Sequence, residues 1–192
     1  MKTFLIHTLK FFIPLVILLI PLDYLMSYYL SQSNDYPGEI EVWNDIYNSN
    51  ATCDMAVYGS SRAWAHIDPK IMKDSLKLDV YNFGMDGHNF WLQYLRHLEF
   101  LKHNPLPKTI ILSVDVFTLQ KRTELYQQSQ FLPYMLWNSN IQKYTSSYIG
   151  FKNSDYYIPL LRYSGKTQSL KTILKNMFRG GSEEKYRNRG FL

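Results

Sequence analysis

A chain of 192 residues has room for one domain and an anchor, and 46% hydrophobic against 19% charged residues excludes a disordered chain. The single cysteine, Cys53, excludes an internal disulfide and a cysteine-rich structural zinc site, and it reads as a buried strand residue. The net charge of +5 is uneven: up to Gln120 nine Lys/Arg stand against twelve Asp/Glu, and from Lys121 onward twelve stand against four.

The first element is apolar. Phe11 to Leu22 reads FFIPLVILLIPL, and apolar character resumes at Tyr24-Leu25-Met26 and Tyr28-Tyr29-Leu30. From Leu9 to Leu30 this is the length a bilayer core requires, roughly 20 residues. Asp23 falls near the far end, where a charge reaches the interface, and the tyrosines fall where an aromatic belt forms. Lys2 and Lys10 precede the segment, and Asp35, Glu39, Glu41 and Asp45 follow it. The positive-inside bias then predicts residues 1–8 in the cytoplasm, a single membrane-spanning signal anchor at 9–30 and an extracytoplasmic domain. A cleaved signal peptide would need a small-residue site after Leu22, which the sequence lacks. A buried core helix is the other reading.

Residues 31–50 read as a linker, with a short amphipathic helix over Ile40 to Tyr47, ahead of a domain at 51–192. Cys53 to Tyr58 is a short β-type run that stops at Gly59. Asp68-Pro69 starts a helix that runs to about Leu76. Leu78 to Phe83 is a second strand, ended by Gly84. After Gly87, residues Phe90, Trp91, Tyr94, Leu95, Leu98 and Leu101 recur at spacings of three and four, predicting a helix with that apolar face and an end before Asn104-Pro105. Thr109 to Val114 is a third strand, apolar enough to be buried on both faces. The β-α-β-α-β order predicts parallel strands with right-handed crossovers. Beyond Asp115 the pattern weakens: loops and helices over Leu119 to Tyr148, a helix over Ser169 to Phe178, and loop from Gly180 to Leu192. The basic second half is either a solvated face or a contact for anionic lipid or an acidic glycan. Nucleic acid is not an expected partner, because the anchor places the domain in the wrong compartment. The 16% aromatic content predicts a packed core or, alternatively, a carbohydrate-facing surface.

Three strand ends carry small or polar residues. Gly59-Ser60-Ser61-Arg62 follows the first, Asn82-Phe83-Gly84-Met85-Asp86-Gly87 the second, and Ser113-Val114-Asp115 the third. Parallel sheets bind ligands at the carboxyl ends of their strands. A serine on a tight turn there is exposed, and Gly84 and Gly87 free backbone N–H groups for an oxyanion. Each cluster alone also reads as an ordinary strand-to-helix turn.

Tyr58-Gly59-Ser60-Ser61-Arg62 followed by Asn82-Phe83-Gly84-Met85-Asp86-Gly87 resembles the front of the SGNH (GDSL-type) hydrolases, closest to the Gly-Ser-Ser branch of DltD-like bacterial cell-envelope proteins. The resemblance covers roughly Asp54 to Phe117. It implies an α/β fold with a three-layer, flavodoxin-like parallel sheet. It implies Ser61 as nucleophile, Ser60 in the place of the family's aspartate, and the Ser61 and Gly87 N–H groups as oxyanion donors. Arg62, Asn82, Gly84 and Asp115 would support them. The family's third donor, an asparagine, is replaced here by Ser113-Val114-Asp115, and an ionised aspartate cannot donate. The family's Asp-x-x-His base is absent: the histidines are His7, His66, His88, His97 and His103, none with an aspartate three residues before it. The expected fold is thus incomplete at its C-terminus, a shortened form or a domain completed by a partner. The implied activity is that of a serine esterase or O-acyltransferase on acylated cell-envelope glycans, weak or absent alone, with no cofactor or metal. The alternative is a non-catalytic accessory or binding protein of an envelope polysaccharide acylation system. Expected partners are the lipid bilayer and an envelope glycan or membrane acyltransferase.

Overall fold

The apolar runs bounded by Asp54, Asp79 and Lys108 pair as strands β1 (Met55–Tyr58), β2 (Val80–Asn82) and β3 (Thr109–Leu112). All are parallel, in the order β2-β1-β3, with Met55 opposite Val80 on one side and Thr109 on the other. This computed structural model describes residues 1–181 and 185–192, and only the backbone of Lys2, Leu9 and Leu15. The last stretch read as loop therefore includes three residues, Ser182 to Glu184, outside the described residues.

Helices α1 (Lys2–Ser31), α2 (Glu39–Tyr47), α3 (Ser61–His66), α4 (Pro69–Leu76), α5 (Phe90–His103), α6 (Ser139–Thr145) and α7 (Thr167–Arg179) complete the regular structure, with short 3-10 turns between 128 and 163. Alternation along the strands divides the core. Ala56, Tyr58, Tyr81 and Phe83 point to one face, where α2 and α5 bring Val42, Trp43, Ile46, Leu92, Leu95 and Phe100. Met55, Val57 and Val80 point to the other, where Met72 of α4 and Ile67 cover them. The chain is thus mixed α/β, a small parallel sheet with helices on both faces, preceded by one long apolar helix.

Local signals act as expected at several ends. Asp68 caps α4, its Oδ1 accepting from the Lys70 N–H at 2.7 Å, and Pro69 opens the helix. α5 stops at His103, before Asn104-Pro105. Cys53 is buried but precedes β1 by two residues.

Packing overturns four expectations. The first concerns Asp23, whose carboxylate is not exposed but fully buried against the domain. Its Oδ1 lies 2.6 Å from Arg162 Nη2 and its Oδ2 accepts from the Leu160 N–H at 2.6 Å. A buried carboxylate persists only with such partners. Residues 31–50 are not a linker: Pro37 to Ile40 are buried, and Val42, Trp43 and Ile46 lie in the core. β3 is not buried on both faces. It is an edge strand, exposed at Thr109, Ile110 and Leu112. Finally, α5 buries Leu92, Gln93, Leu95, Arg96, Glu99 and Phe100, leaving Phe90, Trp91 and Tyr94 exposed. The helix is rotated from the expected face because Arg96 and Glu99 find polar partners inside the domain.

Candidate functional site

The three strands end on one rim, and backbone bonds hold their loops together. The Met85 N–H donates to the Gly59 carbonyl at 3.0 Å, joining the loops after β2 and β1. Gly59 permits the turn from β1 into α3: a Cβ there would lie 2.6 Å from the Ala63 Cβ and 2.9 Å from the Ser113 Cβ.

Ser60 is the N-cap of α3, its Oγ 3.4 Å from the Arg62 N–H. The same hydroxyl donates to Asp115 Oδ2 at 2.5 Å, tying the end of β1 to the end of β3. Asp115 is fixed in turn by the Phe117 N–H on Oδ1 at 2.9 Å, while its own N–H donates to Thr118 Oγ1 at 2.8 Å. The Ser60 hydroxyl is the main reason the Asp115 carboxyl sits below the usual carboxylate range. Asp115 is therefore an acceptor and a negative charge on the rim.

Ser61 is the first residue of α3, half-buried, and among the described residues its hydroxyl makes no hydrogen bond. Arg62 is exposed beside it. No histidine partners Ser61 among the described residues. His66 Nδ1 lies 2.9 Å from the Arg62 carbonyl of its own helix. His88 is buried beside Gln130, and burial pushes its imidazole down to about 4, so it is neutral at pH 7. His97 lies 2.9 Å from the Tyr58 hydroxyl, and His103 packs on the Tyr47 ring.

The loop after β2 is built for support. Asn82 spends both ends of its amide: Nδ2 donates to the Ala63 and Ile67 carbonyls at 2.8 Å each, and Oδ1 accepts from the Gly84 N–H at 2.9 Å. Asn82 thus anchors the C-terminal end of α3 and occupies the Gly84 N–H that the sequence offers to an anion. A Cβ on Gly84 would meet the Trp64 backbone nitrogen at 2.7 Å. Gly87 has φ +68°, and a Cβ there would press on the Tyr126 ring at 2.7 Å. Its carbonyl accepts from Arg122 Nη1 at 2.6 Å, and burial raises the pKa of the neighbouring Asp86 carboxyl. The structure thus joins Ser60 to Asp115 and Gly59 to Met85, while Gly87 is held by Tyr126 and Arg122.

Beneath this loop lies a buried ion network that the sequence pattern hid. Glu39 pairs with Arg96 through Oε2 and with Arg187 through Oε1, the latter at 2.6 Å. Glu39 Oε1 also accepts the Asp86 N–H at 3.1 Å. Nη1 atoms of Arg96 and Arg187 reach the Gly84 carbonyl at 3.2 and 3.0 Å. Burial raises the Glu39 carboxyl, but the two guanidiniums overcome it and hold it at about 2. One signal was available: Arg96 lies four residues after Leu92 and one after Leu95, on a buried stripe. Arg187 carried none.

Between the loops after β2 and β3 a cavity of about 350 Å³ is lined by Asn89, Trp91, Thr118, Arg122 and Tyr148; Ser61 does not line it. Among the described residues, no three His, Cys, Asp or Glu side chains gather to hold a metal ion. No protein-family profile matches the chain, and neither a curated protein nor a solved structure matches it.

Proposed function

We propose that the protein is a membrane-anchored, SGNH-hydrolase-like domain of the bacterial cell envelope whose rim receives an acyl ester at Ser61. α1 is long and apolar enough to cross a membrane, and in this reading it does so, with the N-terminus cytoplasmic and the domain outside. The observation that carries the site is the Ser61 hydroxyl at the start of α3, unpartnered among the described residues, beside a neighbouring serine already committed to Asp115. Ser61 would attack the ester carbonyl of an acylated glycan, and its own N–H would face the oxyanion. The alcohol leaves, and water then releases the acyl group or a second hydroxyl accepts it. With no histidine on Ser61 among the described residues, turnover by the protein alone is very low.

Chemical rescue tests this. Full-length protein in nanodiscs is assayed on an activated acetate ester with increasing imidazole, which can take the serine proton. Turnover should rise with imidazole beyond the solution reaction and be lost in Ser61→Ala. Equal rates in the two proteins would dismiss Ser61 as a nucleophile.

A second reading, an accessory protein of an envelope acylation system, is favoured by the open edge of β3 and the exposed aromatic side of α5. Ile110, Leu112, Phe90 and Tyr94 border a cavity of about 180 Å³ there. Recovery of a membrane acyltransferase crosslinked through position 112 would support it; a monomer that binds neither that partner nor a glycan would count against it.

A further inference from the structure

The apolar helix does not carry the domain on a tether. Between Thr3 and Leu22 no described residue of α1 is buried, and from Asp23 onward one face of the helix is bonded into the domain. Asp23 binds Arg162 and the Leu160 N–H, and Ser27 Oγ lies 2.9 Å from the Tyr163 hydroxyl and 2.7 Å from Arg162 Nη2. Asn176 Nδ2 donates to the Tyr29 carbonyl, and Asn44 Nδ2 to that of Ser31, each at 2.8 Å. Held at four levels, helix and domain move as one body.

The rise of an α-helix then sets the height of the domain. At about 1.5 Å per residue, the exposed stretch up to Leu22 is roughly 30 Å long, the thickness of a bilayer's hydrocarbon core. The membrane surface therefore crosses α1 near Asp23, and Lys10, about 20 Å further along the helix, falls in the cytoplasmic half of the bilayer, where its long side chain reaches toward the headgroups. Leu160 is bonded to Asp23, so the 157–161 turn lies at that height.

What the domain presents there is apolar and aromatic. Tyr24, Leu25, Trp137, Tyr157, Ile158 and Leu161 are between 38% and 56% exposed. The Trp137 indole N–H donates to the Tyr157 carbonyl at 3.0 Å, which gathers the two rings. Trp137 and Leu160 hold φ of +56° and +68°, a region that bulky residues avoid, so the packing around them imposes this presentation. Tyr and Trp prefer the water–hydrocarbon boundary, where the ring is buried and the polar atom stays wet.

From these observations we propose that the surface formed by Trp137 and residues 157–161 is a membrane foot, seated in the headgroup region of the leaflet from which α1 emerges. This rests on the reading that α1 spans the bilayer. The occupant is lipid rather than a protein because the surface is continuous with the exposed face of α1 at Tyr24 and Leu25, at the height where the helix meets the membrane surface. The foot fixes the orientation of the rim relative to the membrane.

Brominated lipid, which quenches tryptophan on contact, reads out both claims. Full-length protein is reconstituted in phosphatidylcholine vesicles brominated either near the headgroup end of the acyl chain or near its tip. The difference between wild type and Trp137→Phe isolates Trp137. Its emission should be quenched mostly by the shallow bromines and little by the deep ones. Tyr157→Trp in the Trp137→Phe background should behave alike, which guards against a local effect of the first substitution. Val16→Trp reports on α1 and should be quenched by the deep bromines. Quenching at position 16 with none at 137 or 157 overturns the foot alone, as would a crosslinked dimer through these positions. No quenching at position 16 overturns the anchor itself.

Discussion

The two edges of the sheet are finished in opposite ways. Along β2 the C-terminal segment closes the edge with polar contacts. The Asn82 N–H donates to the Arg189 carbonyl at 2.9 Å, and Arg189 Nε donates to the Val80 carbonyl at 3.2 Å. Arg189 Nη2 reaches Asp79 and the Thr52 carbonyl at 2.7 Å each, and Arg187 enters the Glu39 network. Along β3, Thr109 and Ser113 turn their N–H groups toward β1, so Ile110 and Leu112 face outward, and their side chains are exposed. Strand edges are normally paired, covered or charged. Here the β2 edge is covered and the apolar β3 edge is open, so apolar character in a strand states a preference for burial without naming what provides it.

The largest test of this contrast is Glu39→Ala. It strands the buried guanidiniums of Arg96 and Arg187, and it should lower stability by about 3–5 kcal/mol. Thermal melts of the full-length protein in detergent measure it; an unchanged melting temperature would mean that the β2 seal does not depend on the network. The same carboxylate gives the seal an acid limit. Its folded pKa, about 2, lies below its ordinary value of 4.5. Its contribution is therefore complete above 4.5 and lost as pH falls toward 2. Smaller in effect is Gly190→Ala. Gly190 has φ +78°, and an added Cβ would overlap the Asn82 carbonyl oxygen. The strain should cost roughly 1–3 kcal/mol and lift the seal from β2. Hydrogen exchange at the Asn82 amide should accelerate while β1 stays protected; equal protection in the variant would contradict the seal. The smallest effect belongs to Leu112→Thr on the open edge, a change within about 0.5 kcal/mol if water already reaches that side chain. A markedly larger loss by the same melts would show that the edge is covered in solution and would erase the contrast.

Much of the fold was legible because its signals are local. Asp68-Pro69 caps and opens α4 whatever surrounds it, and Asn104-Pro105 ends α5. The three strands and their parallel order follow from run length and from the intervening helices. The buried face of α5 was not legible: with Phe90, Trp91, Leu92, Tyr94, Leu95 and Leu98 around the helix, hydrophobic spacing defines no single stripe. Arg96 and Glu99 were decided by partners from α2, the loop before α6 and α6 itself. At the rim, the placement of Ser60, Ser61 and Asp115 at strand ends followed from the same local rules. That Ser60 takes Asp115, and that Arg122 takes the Gly87 carbonyl, depends on side chains meeting across the rim.

By itself the amino-acid order determined an apolar N-terminal helix, three short parallel strands and the loops that end them, because capping, turn chemistry and periodicity act within a few residues. Only the tertiary structure decided which charges are buried. Asp23 meets Arg162 and Glu39 meets Arg187 across more than a hundred residues. A buried charge is tolerable only where its partner arrives, and that arrival is a property of the whole packed chain.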